Sequence, residues 1–278
     1  MTSFITPRRF IAAIILLFIA TAPVQAGGLV ETDLDRFTQT SFSDSATLDN
    51  AWWTLPAGAN FLYFAEEDDE CAWNLVQVLD ATTDAFGGAY AGTEARIILD
   101  REWADEECQY DNFADVAAFL DTEETTYDWY AQDDDGNIWY MGEDTRDSEG
   151  ESDGSFVAGC DVADLGYDAE AGIVMLGDPQ KGDFYQQEFY EEEAEDWGKV
   201  LNFIEIDDQL CLKTKEWTPL ESGNIEHKFY CTDGSEGVLL LIDELKGKTV
   251  TVEYIGSVDP ALIPEAPTEE PAPVPECD

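Results

Sequence analysis

Residues 125–145 read TTYDWYAQDDDGNIWYMGEDT, and this segment carries the clearest fold signal in the chain. Two runs rich in aromatic residues flank Asp135-Gly136, and Asp-Gly at the centre of a two-residue turn predicts a β-hairpin because both residues accept positive φ. Two alternating faces follow from that register. Tyr127, Trp129, Ala131, Ile138 and Tyr140 form the expected core face, and Asp128, Tyr130, Gln132, Trp139, Met141 and Glu143 form a mixed aromatic and acidic surface.

Similar runs bounded by Gly, Pro, Asn and Asp recur along the chain and predict further strands. Helical character is confined to residues 112–120 and 191–201, and the second segment reads equally well as an acidic turn leading into a strand. We therefore expect a mainly β fold with little helix, a single antiparallel curved sheet that forms a half-barrel or a sandwich. The predicted strands are 62–64, 73–79, 95–103, 138–142, 172–176, 184–190, 210–217, 225–231, 237–242 and 248–255.

The N-terminus has the pattern of a secretory signal peptide over residues 1–26. Arg8 and Arg9 precede an apolar run over 10–22, and Val24-Gln25-Ala26 supplies a small-residue cleavage site. An uncleaved anchor would need about 20 apolar residues, and this run is shorter and ends before Pro23. The prediction is a secreted or periplasmic protein with no membrane span after cleavage.

Composition divides the rest of the chain into three parts. Residues 27–50 form a polar lead-in that we expect to be loosely ordered. Residues 51–257 have the composition of one globular domain, long enough to bury a substantial core. Residues 258–278 form an acidic, Pro-rich tail.

The chain is extremely acidic. It carries 62 acidic and 13 basic residues, a formal charge of −49, and loss of Arg8 and Arg9 with the leader would bring the mature chain to −51. Such a charge excludes nucleic acid and anionic lipid as partners. Two explanations compete: a surface adapted to high salt, where the Debye length falls to about 3 Å at 1 M, or carboxylates that converge on Ca²⁺. The diffuse spread of the acids favours the first.

Six cysteines in an exported chain predict disulfides. Cys211 and Cys231 lie in two strand-like runs joined by a turn-rich segment, and pairing symmetric about Glu221 places them opposite each other. Cys71 with Cys108 is the next expected pair, which leaves Cys160 with Cys277. Because Cys277 lies in the tail, a disulfide-linked partner through that residue is the alternative.

One turn is a specific candidate for a cation site. An EF-hand does not fit, because counting back from Gly136 puts Ala131 at the first ligand position and Gly142 where a Glu is needed. A different Ca²⁺ site built from Asp133, Asp134, Asp135 and Asn137 is the remaining metal hypothesis. The alternative is that these residues only form the turn, and otherwise no cofactor is expected.

Three blocks in order resemble a widespread family of exported bacterial β-rich proteins without an assigned biochemical activity. They are DWYAQDDDGNIWYMGEDT (128–145), GDFYQQEFYEEEAEDWGKVL (182–201) and KTKEWTPLESGNIEHKFY (213–230), and the resemblance begins near NAWWTLPAG at Asn50. It implies an envelope or extracellular β domain and no reaction. This chain has more acids and cysteines than that family and no lipid-attachment Cys.

Enzymatic patterns are weak. GESDG at 150–154 matches the nucleophile-elbow string with Ser152 as nucleophile and His227 downstream, but the strand before and the helix after are missing. Paired carboxylates for glycoside hydrolysis carry little information in so acidic a chain. We therefore predict a non-catalytic cell-envelope or extracellular protein that has a binding or structural role and a salt-adapted surface. The alternative is a Ca²⁺-dependent carbohydrate-binding or hydrolytic secreted protein.

Overall fold

The computed structural model describes residues 34–67, 70–150, 154–206, 208–220, 225–231, 238–245, 248–264 and 277. The predicted leader, Ser152 and most of the Pro-rich tail lie outside these residues. Neither α-helix of the described chain has the length and apolar character needed to cross a membrane.

Strands dominate the described chain. The helices are α1 (Leu34–Gln39), α2 (Phe113–Phe119) and two single-turn 3-10 segments, Gly88–Tyr90 and Pro260–Leu262. The strands are β1 (Leu48–Asp49), β2 (Thr54–Leu55), β3 (Asn60–Glu67), β4 (Glu70–Thr83), β5 (Ala95–Asp105), β6 (Glu124–Gln132), β7 (Ile138–Asp147), β8 (Phe156–Val157), β9 (Glu170–Met175), β10 (Phe184–Gln186), β11 (Glu188–Phe189), β12 (Trp197–Ile206), β13 (Gln209–Trp217), β14 (Glu226–Cys231), β15 (Val238–Leu245) and β16 (Lys248–Gly256).

A single antiparallel sheet contains fourteen of these strands. Its order is β10-β12-β13-β14-β15-β16-β3-β4-β5-β6-β7-β9-β11, with β8 paired to β7, and β1 and β2 form a separate small sheet. Strands far apart in this order nevertheless line one internal cavity, so the sheet is strongly curved. The predicted fold class, mainly β with an antiparallel curved sheet and little helix, is confirmed, and the sheet is not closed into a barrel.

The buried apolar residues form two clusters. The main core includes Trp129, Trp139 and Leu99, on the face of the sheet opposite the cavity, together with Phe61 and Tyr63 on the cavity side. On the convex face a smaller cluster that includes Trp103 packs under α2. Asn112 caps α2 by accepting the N–H of Asp115 at 3.1 Å, so the helix predicted over 112–120 is confirmed.

Part of the lead-in is ordered, contrary to expectation. Phe37 on α1 is buried, and its ring centroid lies 4.5 Å from that of Tyr90 and 5.1 Å from that of Trp139. A segment of polar composition therefore contributes Phe37 and Leu48 to the main core, with Phe42 packed against it. Residues 191–196 form a turn before β12, the second of the two alternatives considered for that segment.

The hairpin forms, but the predicted two-residue turn and part of the predicted faces are wrong. Residues 133–137 form the loop, and Gly136 but not Asp135 has a positive φ. Ile138, Trp139 and Tyr140 each lie on the face opposite the predicted one. Gln132 pairs with Ile138 and Tyr130 with Tyr140, then a β-bulge intervenes and Trp129 pairs with Gly142. Met141 is the extra residue, and Gly142 holds φ at 144° with no room for a side chain. Because cross-strand partners share a face, Tyr140 joins Tyr130, Asp128 and Glu143 on the concave face. The expected acidic surface is thus an interior wall.

The three disulfides join Cys71 to Cys108, Cys211 to Cys231, and Cys160 to Cys277. Cys211 and Cys231 are direct cross-strand partners of β13 and β14, as the symmetric pairing predicts. Cys277 is bonded within the chain, so in this structure its thiol is not free for a disulfide-linked partner.

Candidate functional site

The concave side of the sheet contains a cavity of about 180 Å³. A single water needs about 10–15 Å³ of such space, so the cavity can hold a ligand of several heavy atoms. Its wall is both aromatic and acidic. The lining includes the aromatic residues Trp53, Phe61, Tyr63, Tyr130, Tyr140 and Tyr230, the acids Asp100, Glu102, Glu124, Asp128, Glu188, Asp196 and Glu216, and the base Lys228.

The side chains of β5 and β6 point alternately to the two faces of the sheet, and this places several of their acids in the cavity wall. Successive side chains of a strand point to opposite faces, so Asp100 and Glu102 face inward while Arg101 and Trp103 face the convex side. In the register of the two strands Glu102 lies directly opposite Glu124. Like charges in this position destabilise a sheet. We call the four carboxyls of Asp100, Glu102, Glu124 and Asp128 the acidic wall.

Burial and mutual repulsion keep protons on the acidic wall. Burial, then the charge of Asp128, raises the pKa of Asp100 to about 8, although a hydrogen bond from the Asn74 amide opposes the shift. The same two causes raise the pKa of Glu124 to about 7. For Glu102, burial followed by repulsion from Glu124 raises the pKa well above its usual range.

Tyr140 joins two of the interior acids. Its hydroxyl donates to Asp128, and its oxygen lies 2.7 Å from Oε2 of Glu143. A phenol has one proton to donate, so hydrogen bonding to both carboxyls requires one of them to be protonated. Burial raises the pKa of Asp128 to about 6, and burial together with the charge of Asp128 raises that of Glu143 well above its usual range.

On the opposite side of the cavity, one lysine partly compensates the charge of two carboxylates. Lys228 Nζ lies 2.9 Å from Oε2 of Glu216 and 3.2 Å from Oε2 of Glu226. Burial alone would lower the pKa of Lys228, but the two carboxylates outweigh it and raise that pKa. Glu216 also accepts hydrogen bonds from Gln187 at 2.9 Å and Thr214 at 2.8 Å.

Two further acids lie beside this compensated pair. Burial raises the pKa of Asp196 to about 6 even though Lys228 opposes the shift. Burial, and then the charge of Asp196, raises the pKa of Glu188 well above its usual range. Lys228 is the only basic side chain among the described residues that line the cavity.

One carboxyl oxygen of the acidic wall is buried without a partner. Glu102 is 6% exposed, and its Oε1 accepts no hydrogen bond from the described residues. An unsatisfied buried acceptor costs about 1–3 kcal/mol, more if it is charged. This oxygen therefore needs a donor that the described chain does not supply.

The residues of the Ca²⁺ hypothesis lie in the hairpin loop, away from the cavity. Asp133 is buried, and its two oxygens accept N–H groups from Asp135, Asn137 and Trp139 at 2.8–3.0 Å. Asp134 instead accepts from the backbone and hydroxyl of Ser43. Asp133 and Asn137 are brought together, whereas Asp134 is drawn to the lead-in. The described residues contain no group of three or more His, Cys, Asp or Glu side chains in metal-holding geometry.

The sequence singled out His227 as a candidate functional residue but did not single out the acids that line the cavity. His227 lies on β14 beside Lys228 and is not among the cavity residues. The acidic wall was not predicted, because each of its acids is one among 62. A weak signal was present nonetheless: Asp100 and Glu102 occupy alternate positions of β5, and acids at every second position of a buried strand indicate a polar lining on one face.

Compared with known proteins, the chain matches no protein-family model, no curated protein and no solved structure. A function for it has therefore to be inferred from the cavity and from the charge around it.

Proposed function

We propose that this chain is a non-catalytic binding protein of the cell envelope or extracellular space, with the interior cavity as its ligand site. The cavity itself carries the proposal: aromatic and aliphatic side chains line it together with seven convergent carboxyls and one lysine, and apolar walls with polar groups that fix orientation are typical of small-molecule sites. The predicted leader and the three disulfides support an oxidising compartment outside the cytoplasm. The dispersed negative charge supports a surface adapted to salt.

A cavity-filling variant tests this proposal. Val174 lies on β9 and lines the cavity, so Val174→Phe reduces the volume available to a ligand. Ile255→Phe, at a position 52% exposed on β16, is the matched control. In a thermal-shift screen of small cations, anions, neutral sugars and alcohols, we expect at least one class to stabilise the wild type and Ile255→Phe but not Val174→Phe. Two results would refute the cavity as the ligand site: a compound that stabilises Val174→Phe as well as the wild type, or no compound that stabilises the wild type.

A hydrolytic activity is the second candidate, and the Asp128–Tyr140–Glu143 arrangement favours it. Two carboxyls that share one proton near neutral pH can serve as acid and base in glycoside hydrolysis. Turnover of aryl glycosides by the wild type and its loss in Asp128→Asn would support this candidate. An absence of turnover across a panel of aryl glycosides would favour the binding role.

A further inference from the structure

We propose that the cavity binds a primary alkylammonium ion, its ammonium group on the acidic wall near Glu102 and its alkyl chain against the neighbouring aromatic rings. This inference rests on the proposed binding function and names the chemical class of the ligand.

The charge distribution around the cavity favours a cation. Lys228 is already held by Glu216 and Glu226, on the compensated side. None of the described basic residues that line the cavity reaches the acidic wall, where Glu102 and Glu124 lie opposite each other. A cation placed between these two would relieve their repulsion, which the protein otherwise relieves only by keeping protons on them.

The partnerless oxygen specifies a cation that donates hydrogen bonds. Oε1 of Glu102 is buried on a cavity-lining side chain and has no donor among the described residues. A primary ammonium carries three N–H donors, whereas a quaternary ammonium carries none. Charge-assisted hydrogen bonds of this kind are stronger than neutral ones. Primary ammonium therefore satisfies both the charge and the missing donor.

Aromatic rings next to the acids supply the rest of the site. Tyr63 on β3 lies opposite Asn74, which in turn lies opposite Glu102, so Tyr63 and Glu102 share a face of the sheet and both line the cavity. Phe61, the next residue of β3 on that face, is level with Asp100 and also lines the cavity. Aromatic faces attract cations within about 6 Å and also pack against alkyl chains. The size of the cavity, about 180 Å³, suits a short alkyl chain rather than a bare ion.

Calorimetric titration tests the inference with 1-aminobutane as the probe and 1-butanol as its neutral counterpart. The protein carries enough negative charge to attract any amine weakly, so the control must separate the cavity from the exterior. Glu102→Gln removes one carboxylate of the acidic wall, and Glu205→Gln removes one from an exposed position on β12. Each variant removes one carboxyl group from the chain, and the melting temperature without ligand verifies that each is folded.

We expect 1-aminobutane to bind the wild type and Glu205→Gln alike, to bind Glu102→Gln about tenfold or more weakly, and to bind far better than 1-butanol. Equal weakening in both variants would overturn the inference, because the attraction would then be to the overall charge. Binding of 1-butanol that matches 1-aminobutane and is lost in Val174→Phe would overturn the cation but keep the binding cavity. If neither probe binds, this ligand class is refuted, and the wider thermal-shift screen then decides separately whether the cavity is a site.

Discussion

At the scale of single residues, Asp100 links the chemistry of the cavity to pH. Its pKa in the folded protein is raised to about 8, mainly by burial and by repulsion from Asp128, whereas an unfolded Asp titrates near 3.9. Between these values the folded state holds a proton that the unfolded state has released. The contribution of Asp100 to stability is therefore complete below about pH 4 and is lost as the pH rises through about 8.

Asp100→Asn removes this dependence. The free energy of unfolding of the wild type should fall between pH 5 and pH 8. In the variant we expect this fall to be smaller by about 1–3 kcal/mol. Urea unfolding at a series of pH values measures the difference. Glu205→Gln should run parallel to the wild type, since it removes an exposed carboxyl; parallel curves for Asp100→Asn would show that Asp100 titrates normally.

Lys228 is the second residue whose removal should be costly. Its side chain is 21% exposed and contacts the nearly buried carboxylates of Glu216 and Glu226. Removing one partner of a buried ion pair leaves uncompensated charge, at a cost of about 3–5 kcal/mol. Lys228→Met should therefore lower the free energy of unfolding by about 3 kcal/mol in guanidinium chloride titrations at pH 7.5.

Lys213→Met is the control for that measurement. Lys213 lies over the ring of Phe229 with Nζ 5.0 Å from the centroid, a contact worth about 0.5–1 kcal/mol at an exposed site. A loss in Lys228→Met no greater than in Lys213→Met would mean that the compensated side of the cavity does not depend on Lys228.

At the scale of elements, the bulge in β7 decides which side chains line the cavity. Beyond the bulge, Asp128 pairs with Glu143, the register that a two-residue turn would give. If β7 kept that register without the bulge, Tyr140 would lie opposite Ala131 and face away from Asp128. The extra residue Met141 rotates Tyr140 onto the concave face while Glu143 stays opposite Asp128. The interior Asp128–Tyr140–Glu143 contact therefore depends on this one irregularity.

Gly142→Ala tests the bulge. A Cβ at Gly142 would lie 2.4 Å from the backbone oxygen of Phe156, and φ there is 144°. Gly150 has a positive φ of 79° but open space around it, so Gly150→Ala measures the cost of backbone conformation alone, about 1–2 kcal/mol. We expect Gly142→Ala to cost at least about 3 kcal/mol of unfolding free energy. Equal costs in the two variants would show that β8 does not hold Gly142 tightly.

Several elements were predictable from the sequence because their signals are local. The Asp-Gly turn predicted the hairpin, and two strand-like runs about one turn predicted that Cys211 lies opposite Cys231. The bulge was not predictable, because a residue inserted into a strand leaves the composition unchanged. Phe37 was missed because the few large apolar residues of this polar segment are too far apart to show a strand or helix period. The acidic wall depends on the pairing of β5 with β6, a tertiary fact that acids scattered in sequence do not show.

At the scale of the whole molecule, the charge acts on stability as well as on binding. A formal charge of −49 repels itself in the compact state, and salt screens that repulsion over about 8 Å at 0.15 M and about 3 Å at 1 M. The melting temperature should therefore rise by about 10 °C between 0.05 M and 1 M NaCl, an amount that corresponds to a few kcal/mol for a chain of this size.

Thermal melts in NaCl, MgCl₂ and CaCl₂ measure this effect and also test the calcium hypothesis. A melting temperature that is flat in NaCl would contradict the salt-adapted surface. Stabilisation by Ca²⁺ well below millimolar concentration, unmatched by Mg²⁺, would instead support a site at Asp133, Asp134, Asp135 and Asn137.

The central claim is that the cavity, and not the acidic exterior, captures the cation. A crystal of the protein soaked in 3-bromopropylammonium measures this directly, because anomalous scattering from bromine locates the ligand without reference to affinity. We predict the strongest bromine peak inside the cavity, near Tyr63 and Phe61, with the ammonium group at Oε1 of Glu102. Bromine peaks found only among exterior carboxylates, with none in the cavity, would contradict the account.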